Sequence, residues 1–258
     1  MSGRVGSVGS VSSVFPRGER QRRVVLNDKQ IADVGRTVSS IGDSADAISG
    51  LKCADLVDAM GRVHRHRCHV LDLASPTPGR VLFGAAATIS YYPSCTATLD
   101  PQRYNFANLF HQAVGDQPAG KVLVLASNGY TDVSMGGGTK LFRLQEHGLA
   151  GVLTDGRLRD FEELAGYDFA AYCSGEATHW GGDVVTPFQA NVPVVVGGVG
   201  VMPGQYVYAD AAGAVVIPRG EVDDVLAEAR KIAAEDEAFR ARIAGEVTSA
   251  PPTGASER

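Results

Sequence analysis

The chain has 258 residues, 44% of them hydrophobic and 21% charged, with a formal net charge of −5 at pH 7. That length and composition suit one large domain or two small ones with an ample buried core, and the negative balance argues against a general nucleic-acid binder, because neutralising phosphates needs a basic surface. No apolar run approaches the roughly 18 residues of a membrane span. Cys53, Cys68, Cys95 and Cys173 are scattered without a CxxC pair, which suits reduced thiols in a cytoplasmic protein better than a disulfide framework or a zinc ribbon.

Residues 1–24 are rich in Gly, Ser and Arg and lack a helical period, so a disordered tail is expected there; without the apolar core of a secretory signal, export is not. One domain is expected over residues 25–246, with a frayed end at 247–258. Helical patterning covers residues 28–41, Ser44 to Ser49 and Ala54 to Met60. The HRHRCH run at residues 64–69 gathers His64, His66, Cys68 and His69, but its spacing matches no structural-zinc pattern and Arg65 and Arg67 would repel a cation, so it reads as an exposed basic loop or subunit contact. A strand is predicted from Val81 to Ser90, an amphipathic helix from Tyr104 to Ala113, and a buried strand from Lys121 to Ala126. Between them, Tyr91, Tyr92, Tyr104, Phe106 and Phe110 either pack the core or shape a substrate pocket.

The chain is organised around Gly136 to Asp160, GGGTKLFRLQEHGLAGVLTDGRLRD. This predicts a glycine turn, a helix of about three turns, a short strand from Ala150 to Thr154 and a second turn ending in Arg159-Asp160. Glycines let backbone approach a ligand closely, and a helix start offers unpaired N–H groups to an anion. Arg159 carries a planar fork for a carboxylate, and Asp160 a hard oxygen for a metal. A helix of about 10 residues returns ~15 Å, roughly the span of the antiparallel strand and its turn, so both ends reach one cleft. The bland alternative is a packing turn and a surface salt bridge. Lys140 is a Schiff-base candidate by type and a solvated helix-start charge by base rate.

Beyond Asp160 the pattern gives a short helix from Phe161 to Ala165, a strand from Ala170 to Cys173, a loop through residues 174–190, apolar strands with Gly and Pro turns over residues 192–218, and a charged helix over residues 220–242.

GLAGVLTDGRLRD and PVVVGGVGVMPGQYVYADAAGAVVIP resemble the two signature blocks of the RraA-like family, which includes the 4-hydroxy-4-methyl-2-oxoglutarate aldolases and the regulator of ribonuclease activity A. The resemblance spans roughly residues 50–246. It implies an α/β fold, a layered α/β sandwich of the swivelling-domain kind, in a protomer that forms ring-shaped homotrimers or homohexamers with sites between subunits. It also implies metal-dependent retro-aldol cleavage or decarboxylation of a 2-oxo acid to pyruvate or a related 2-oxo acid, with Mg²⁺ or Mn²⁺ as cofactor. On this resemblance Arg159 binds the substrate carboxylate, Asp160 holds the metal, and backbone amides around Gly137, Gly138, Thr139 and Lys140 bind the 2-oxo acid. A neighbouring subunit would supply an acid from Glu235, Asp236 or Glu237. Two departures stand out: Gln205 replaces the usual acid after Pro203-Gly204, and the family's first Asp, separated from Arg-Asp by twenty intervening residues, falls on Gly138. The second departure keeps altered chemistry, such as a dehydratase or isomerase, and a non-catalytic regulatory role open as alternatives.

Overall fold

The computed structural model describes residues 44–64, 69–95 and 97–249. The expected tail, the helical segment at residues 28–41, residues 65–68 of the histidine run and the last nine residues lie outside these. The elements are α1 (Ser44–Ile48), α2 (Cys53–Val63), β1 (His69–Val70), β2 (Leu82–Pro93), α3 (Phe106–Val114), β3 (Val122–Ala126), β4 (Ser134–Gly136), α4 (Gly138–Glu146), β5 (Gly151–Thr154), β6 (Arg157–Leu158), α5 (Phe161–Ala165), β7 (Ala170–Tyr172), β8 (Val185–Ala190), β9 (Val194–Val196), β10 (Val199–Val201), β11 (Tyr206–Asp210), β12 (Gly213–Ile217) and α6 (Val222–Ser249).

The twelve-residue β2 is the spine. It pairs antiparallel with β11 through Leu82 to Ala85, parallel with β3 through Ala86 to Ser90, and antiparallel with β8 at its far end. The main sheet runs β1-β12-β11-β2-β3-β5-β7, with β8 also on β2. β3, β5 and β7 are parallel, joined through α4 and α5, as parallel neighbours require crossover connections.

Strand periodicity assigns the two faces. Leu123 and Leu125 of β3 join Phe110, Leu141 and Leu144 on the helical side, while Val122, Val124 and Ala126 join Val196, Val201 and Val207 beneath the β9–β10 hairpin. Burial on both sides explains why β3 reads as a continuous apolar run. The result is a layered α/β sandwich, as expected.

The second signature block is structural. Asp210 accepts the Cys53 N–H at 2.8 Å and the Ala212 N–H at 2.8 Å, so it fastens the start of α2 and closes its own turn. Gln205 closes the preceding turn by accepting the Met202 N–H at 2.8 Å, a task an acid performs equally well.

Several elements differ from expectation. Residues 185–190, read as loop, form β8: Pro187 and the register shift between Ser90 and Tyr91 mask the strand pattern, and both are tolerated at an edge. β2 continues to Pro93 because β8 supplies partners there. α3 begins at Phe106, where the Asn105 side chain accepts the Asn108 N–H at 3.0 Å. α6 runs on to Ser249, through Ala, Glu and Arg residues that favour helix, and so enters the stretch expected to fray. Among the described residues no helix is long and apolar enough to cross a membrane.

Candidate functional site

β4 and β6 lie side by side, and the Arg159 N–H donates to the Gly136 carbonyl at 3.0 Å. The strand pair therefore stitches the glycine turn to the Arg-Asp pair. Gly138 opens α4, and its N–H donates to Asp160 Oδ2 at 3.1 Å; Arg159 Nε stands 3.3 Å from the same oxygen. The anion at this helix start is the protein's own carboxylate. Among the described residues no hydrogen bond reaches the other Asp160 oxygen, and both side chains are about two-fifths exposed.

Close approach explains two of the three glycines. A Cβ on residue 137 would meet Asp160 Oδ2 at 2.4 Å and Arg159 Cγ at 2.6 Å. A Cβ on residue 138 would lie 1.9 Å from Glu163 Oε2. Thus, where the resemblance implies an Asp, this chain has glycine, and the carboxylate of Glu163 fills the space. Tyr167 Oη donates to Glu163 Oε1 at 2.7 Å, and this bond, with lesser help from burial, pushes the tyrosine up to about 12. Asp160 itself sits in the left-handed region at φ 62, ψ 45, a strain of about 1 kcal/mol for a non-glycine residue. Asp and Asn bear that conformation best.

Lys140 is not the solvated charge that its position suggests. Its half-buried Nζ lies 5.2 Å from the centre of the Phe106 ring and donates to the Met135 carbonyl at 3.3 Å. Burial first, then the positive charges of Arg159 and Arg143, lower it to about 8. Lys140 joins Ser134, Gly136, Gly137, Arg159 and Trp180 around a cavity of about 40 Å³. Ser134, Lys140 and Trp180 also line a second cavity of about 320 Å³, walled by Tyr91, Tyr104, Phe106 and Val185. The aromatic segment thus does both jobs: Phe110 is core, Tyr91 and Phe106 are buried but reach the cavity, and Tyr92 packs on Phe188.

Other candidates fall elsewhere. Thr139 is exposed and lines neither cavity. Glu235 pairs with Arg62 of its own chain at 2.9 Å, while Asp236 and Glu237 line a different cavity with Lys52 and Arg240. Asp155 accepts the Ser127 N–H at 2.8 Å and serves its turn, and Asp132 is an exposed partner of His179. His64 pairs with Glu221. Sequence reasoning missed Trp180, Ser134 and Glu163. The signal for Glu163 was its spacing, one helical turn after Asp160; Trp180 and Ser134 gave none, since tertiary folding alone brings them together.

Among the described residues no three or more His, Cys, Asp or Glu side chains gather to hold a metal. The donor set therefore excludes a closed protein cage here. It fits a hydrated Mg²⁺ or Mn²⁺, which binds through one or two carboxylates and keeps its remaining positions for water and substrate. Asp160, with one oxygen oriented by Gly138 and Arg159 and the other open, is such a donor, and Glu163 is the adjacent carboxylate on the same helix.

The RraA-like family model (Aldolase/RraA) matches residues 53–216, and the chain belongs to this family. A relative in Halalkalibacterium halodurans, provisionally named a 4-hydroxy-4-methyl-2-oxoglutarate aldolase, is 32% identical over 136 residues, covering 53% of this chain and 64% of the relative. The match thus spans less than two thirds of that curated relative's length. Among solved structures, RraAS2 of Streptomyces coelicolor, described as an unusual member of the RNase ES inhibitor RraA family, aligns with a TM-score of 0.67 at 23% identity over 78% of this chain and 98% of its own. An uncharacterised Pseudomonas syringae protein aligns at 0.66 with 24% identity, over 80% and 89%. These two likenesses establish the fold.

Proposed function

We propose that the protein is a lyase that breaks a carbon–carbon bond of a 2-oxo acid, by retro-aldol cleavage or decarboxylation, and releases pyruvate or a related 2-oxo acid. The observation that carries this reading is the convergence of Arg159, Asp160 and the glycine turn beside one small cavity. The aldolase name of the Halalkalibacterium relative supports it. In this reading Asp160, with Glu163 beside it, holds Mg²⁺ or Mn²⁺, and the ion when bound supplies electrophilic pull on the substrate carbonyl. Arg159 neutralises and orients the substrate carboxylate with its planar fork. The glycine turn allows that close approach, and Gly138 and Arg159 together fix Asp160 in its left-handed backbone. In retro-aldol cleavage Lys140 in its neutral form accepts the proton of the substrate hydroxyl, a role favoured by the burial that lowers its titration to about 8.

Assembly into a trimer or hexamer, which would bring a neighbour's Asp236 or Glu237 to the site, is part of the same proposal; a clean monomer in sedimentation velocity at micromolar concentration removes it. The test of the chemistry is oxaloacetate decarboxylation and pyruvate release from a panel of 4-hydroxy-2-oxo acids that differ in their C4 substituents, 4-hydroxy-4-methyl-2-oxoglutarate among them, with Mg²⁺, Mn²⁺ or EDTA. Turnover with metal, abolished by EDTA and strongly reduced by Asp160→Asn, is expected. No turnover by folded protein overturns the lyase reading in favour of regulatory binding of the kind named for the Streptomyces relative.

A further inference from the structure

The small cavity adjoins the larger one: Ser134, Lys140 and Trp180 line both. A ligand whose carboxylate sits against Arg159 therefore has its remainder directed past Lys140 into about 320 Å³, at the lower end of small-molecule sites. The chemistry of that space is one-sided. Lys140 is its sole charged lining residue among those described, and its ammonium is turned to the Phe106 face and the Met135 carbonyl.

Three of the polar groups in the wall are already committed. Tyr91 Oη donates to the Met135 carbonyl at 3.1 Å, Ser134 Oγ donates to the Gly136 carbonyl at 2.8 Å, and Thr186 Oγ1 shares a hydrogen bond with Ser94 Oγ at 3.0 Å. What remains to meet a ligand is mainly the ring faces and aliphatic edges of Tyr104, Phe106, Trp180, Val185 and Pro187, with the Tyr104 hydroxyl and the Trp180 N–H as isolated polar points. A second carboxylate entering there would be desolvated with few donors to replace its water. A flat apolar ring would stack.

We propose that the substrate is a 4-hydroxy-2-oxo acid bearing an aryl-sized apolar group on C4, so that cleavage yields pyruvate and an aromatic aldehyde. This rests on the 2-oxo-acid lyase reading above. The step balances without oxidant or reductant. The C3–C4 bond breaks, the C4 hydroxyl passes its proton to Lys140 and becomes the aldehyde carbonyl, and the bond's electron pair stays on C3, which takes a proton back from Lys140 to become the methyl group of pyruvate.

The test uses three analogues that share the 2-oxo-acid head and cannot undergo this cleavage: 2-oxobutanoate, 2-oxoglutarate and 4-phenyl-2-oxobutanoate. Each is titrated calorimetrically into the full chain with Mg²⁺. The phenyl compound should bind at least tenfold more tightly than either other, and Tyr104→Ala should reduce its affinity ratio to 2-oxobutanoate at least fivefold. Trp180 is the chain's single tryptophan, so its emission should shift with the phenyl compound. Equal or tighter binding of 2-oxoglutarate, or a ratio indifferent to Tyr104→Ala, overturns the apolar-tail proposal while leaving the lyase reading intact. Failure of all three to bind removes both.

Discussion

The two adjoining cavities are built in opposite ways. The small one takes most of its wall from a single stretch, Ser134 to Lys140 with Arg159, and is defined by backbone, charge and missing side chains. The large one draws on β2, the residues before α3, the turn at residues 180–182 and β8, and is defined by aromatic and aliphatic bulk. Chemistry that has to be placed within a few tenths of an ångström is assembled from residues close in sequence, whereas the shape of the remaining space is left to separate segments. Substitutions in the first should alter the rate; substitutions in the second should alter what is accepted.

The largest effect tests the first half of that contrast. Asp160→Asn keeps a residue suited to the left-handed backbone but removes the charge, so kcat should fall on the order of 10²–10³-fold with the circular dichroism spectrum unchanged. Gly137→Ala comes next, because its Cβ meets the Asp160 and Arg159 side chains and both are held by other bonds; a loss of about 10²-fold in kcat/KM is expected. Gly138→Ala meets only the end of the flexible Glu163 side chain, and Glu163→Ala should relieve most of its effect in a double-mutant cycle of thermal stability. If Glu163→Ala relieves Gly137→Ala equally well, the two glycines do not have separate tasks.

Arg159→Lys should raise KM about tenfold, since an ammonium cannot reproduce the planar fork. The pH dependence has a definite sign. Because Lys140 is lowered from the ordinary lysine range to about 8, turnover should rise through about pH 8 as its neutral form accumulates, and Lys140→Arg should abolish that rise. In a stability profile the same group acts in one direction: between pH 8 and the ordinary lysine range the unfolded chain holds the extra proton, so unfolding free energy climbs with pH across that window. Thr139→Ala, on an exposed side chain outside both cavities, should change kcat/KM least.

The same contrast accounts for what the sequence disclosed. GLAGVLTDGRLRD was legible because its functional geometry is local: a strand, a turn and a helix start, each with its own residue signal. The sheet was legible where burial is two-sided, as in β3. β8 was not, because Pro187 and a shifted register remove the alternation on which strand reading depends. Lys140 was misread as a solvated charge because nothing in its neighbourhood along the chain announces Phe106, which arrives from α3. The Glu163 carboxylate was not legible, because its place beside Gly138 depends on how α5 packs against the start of α4.

The bond from the Cys53 N–H to Asp210 joins residues 157 positions apart. During synthesis the start of α2 leaves the ribosome long before its anchor exists, and β11, which carries that anchor, is also the strand against which β2 docks. The first helix of the family domain is thus completed by nearly the last strand. The fold closes like a clasp, by the kind of long-range contact whose loop-closure entropy slows folding.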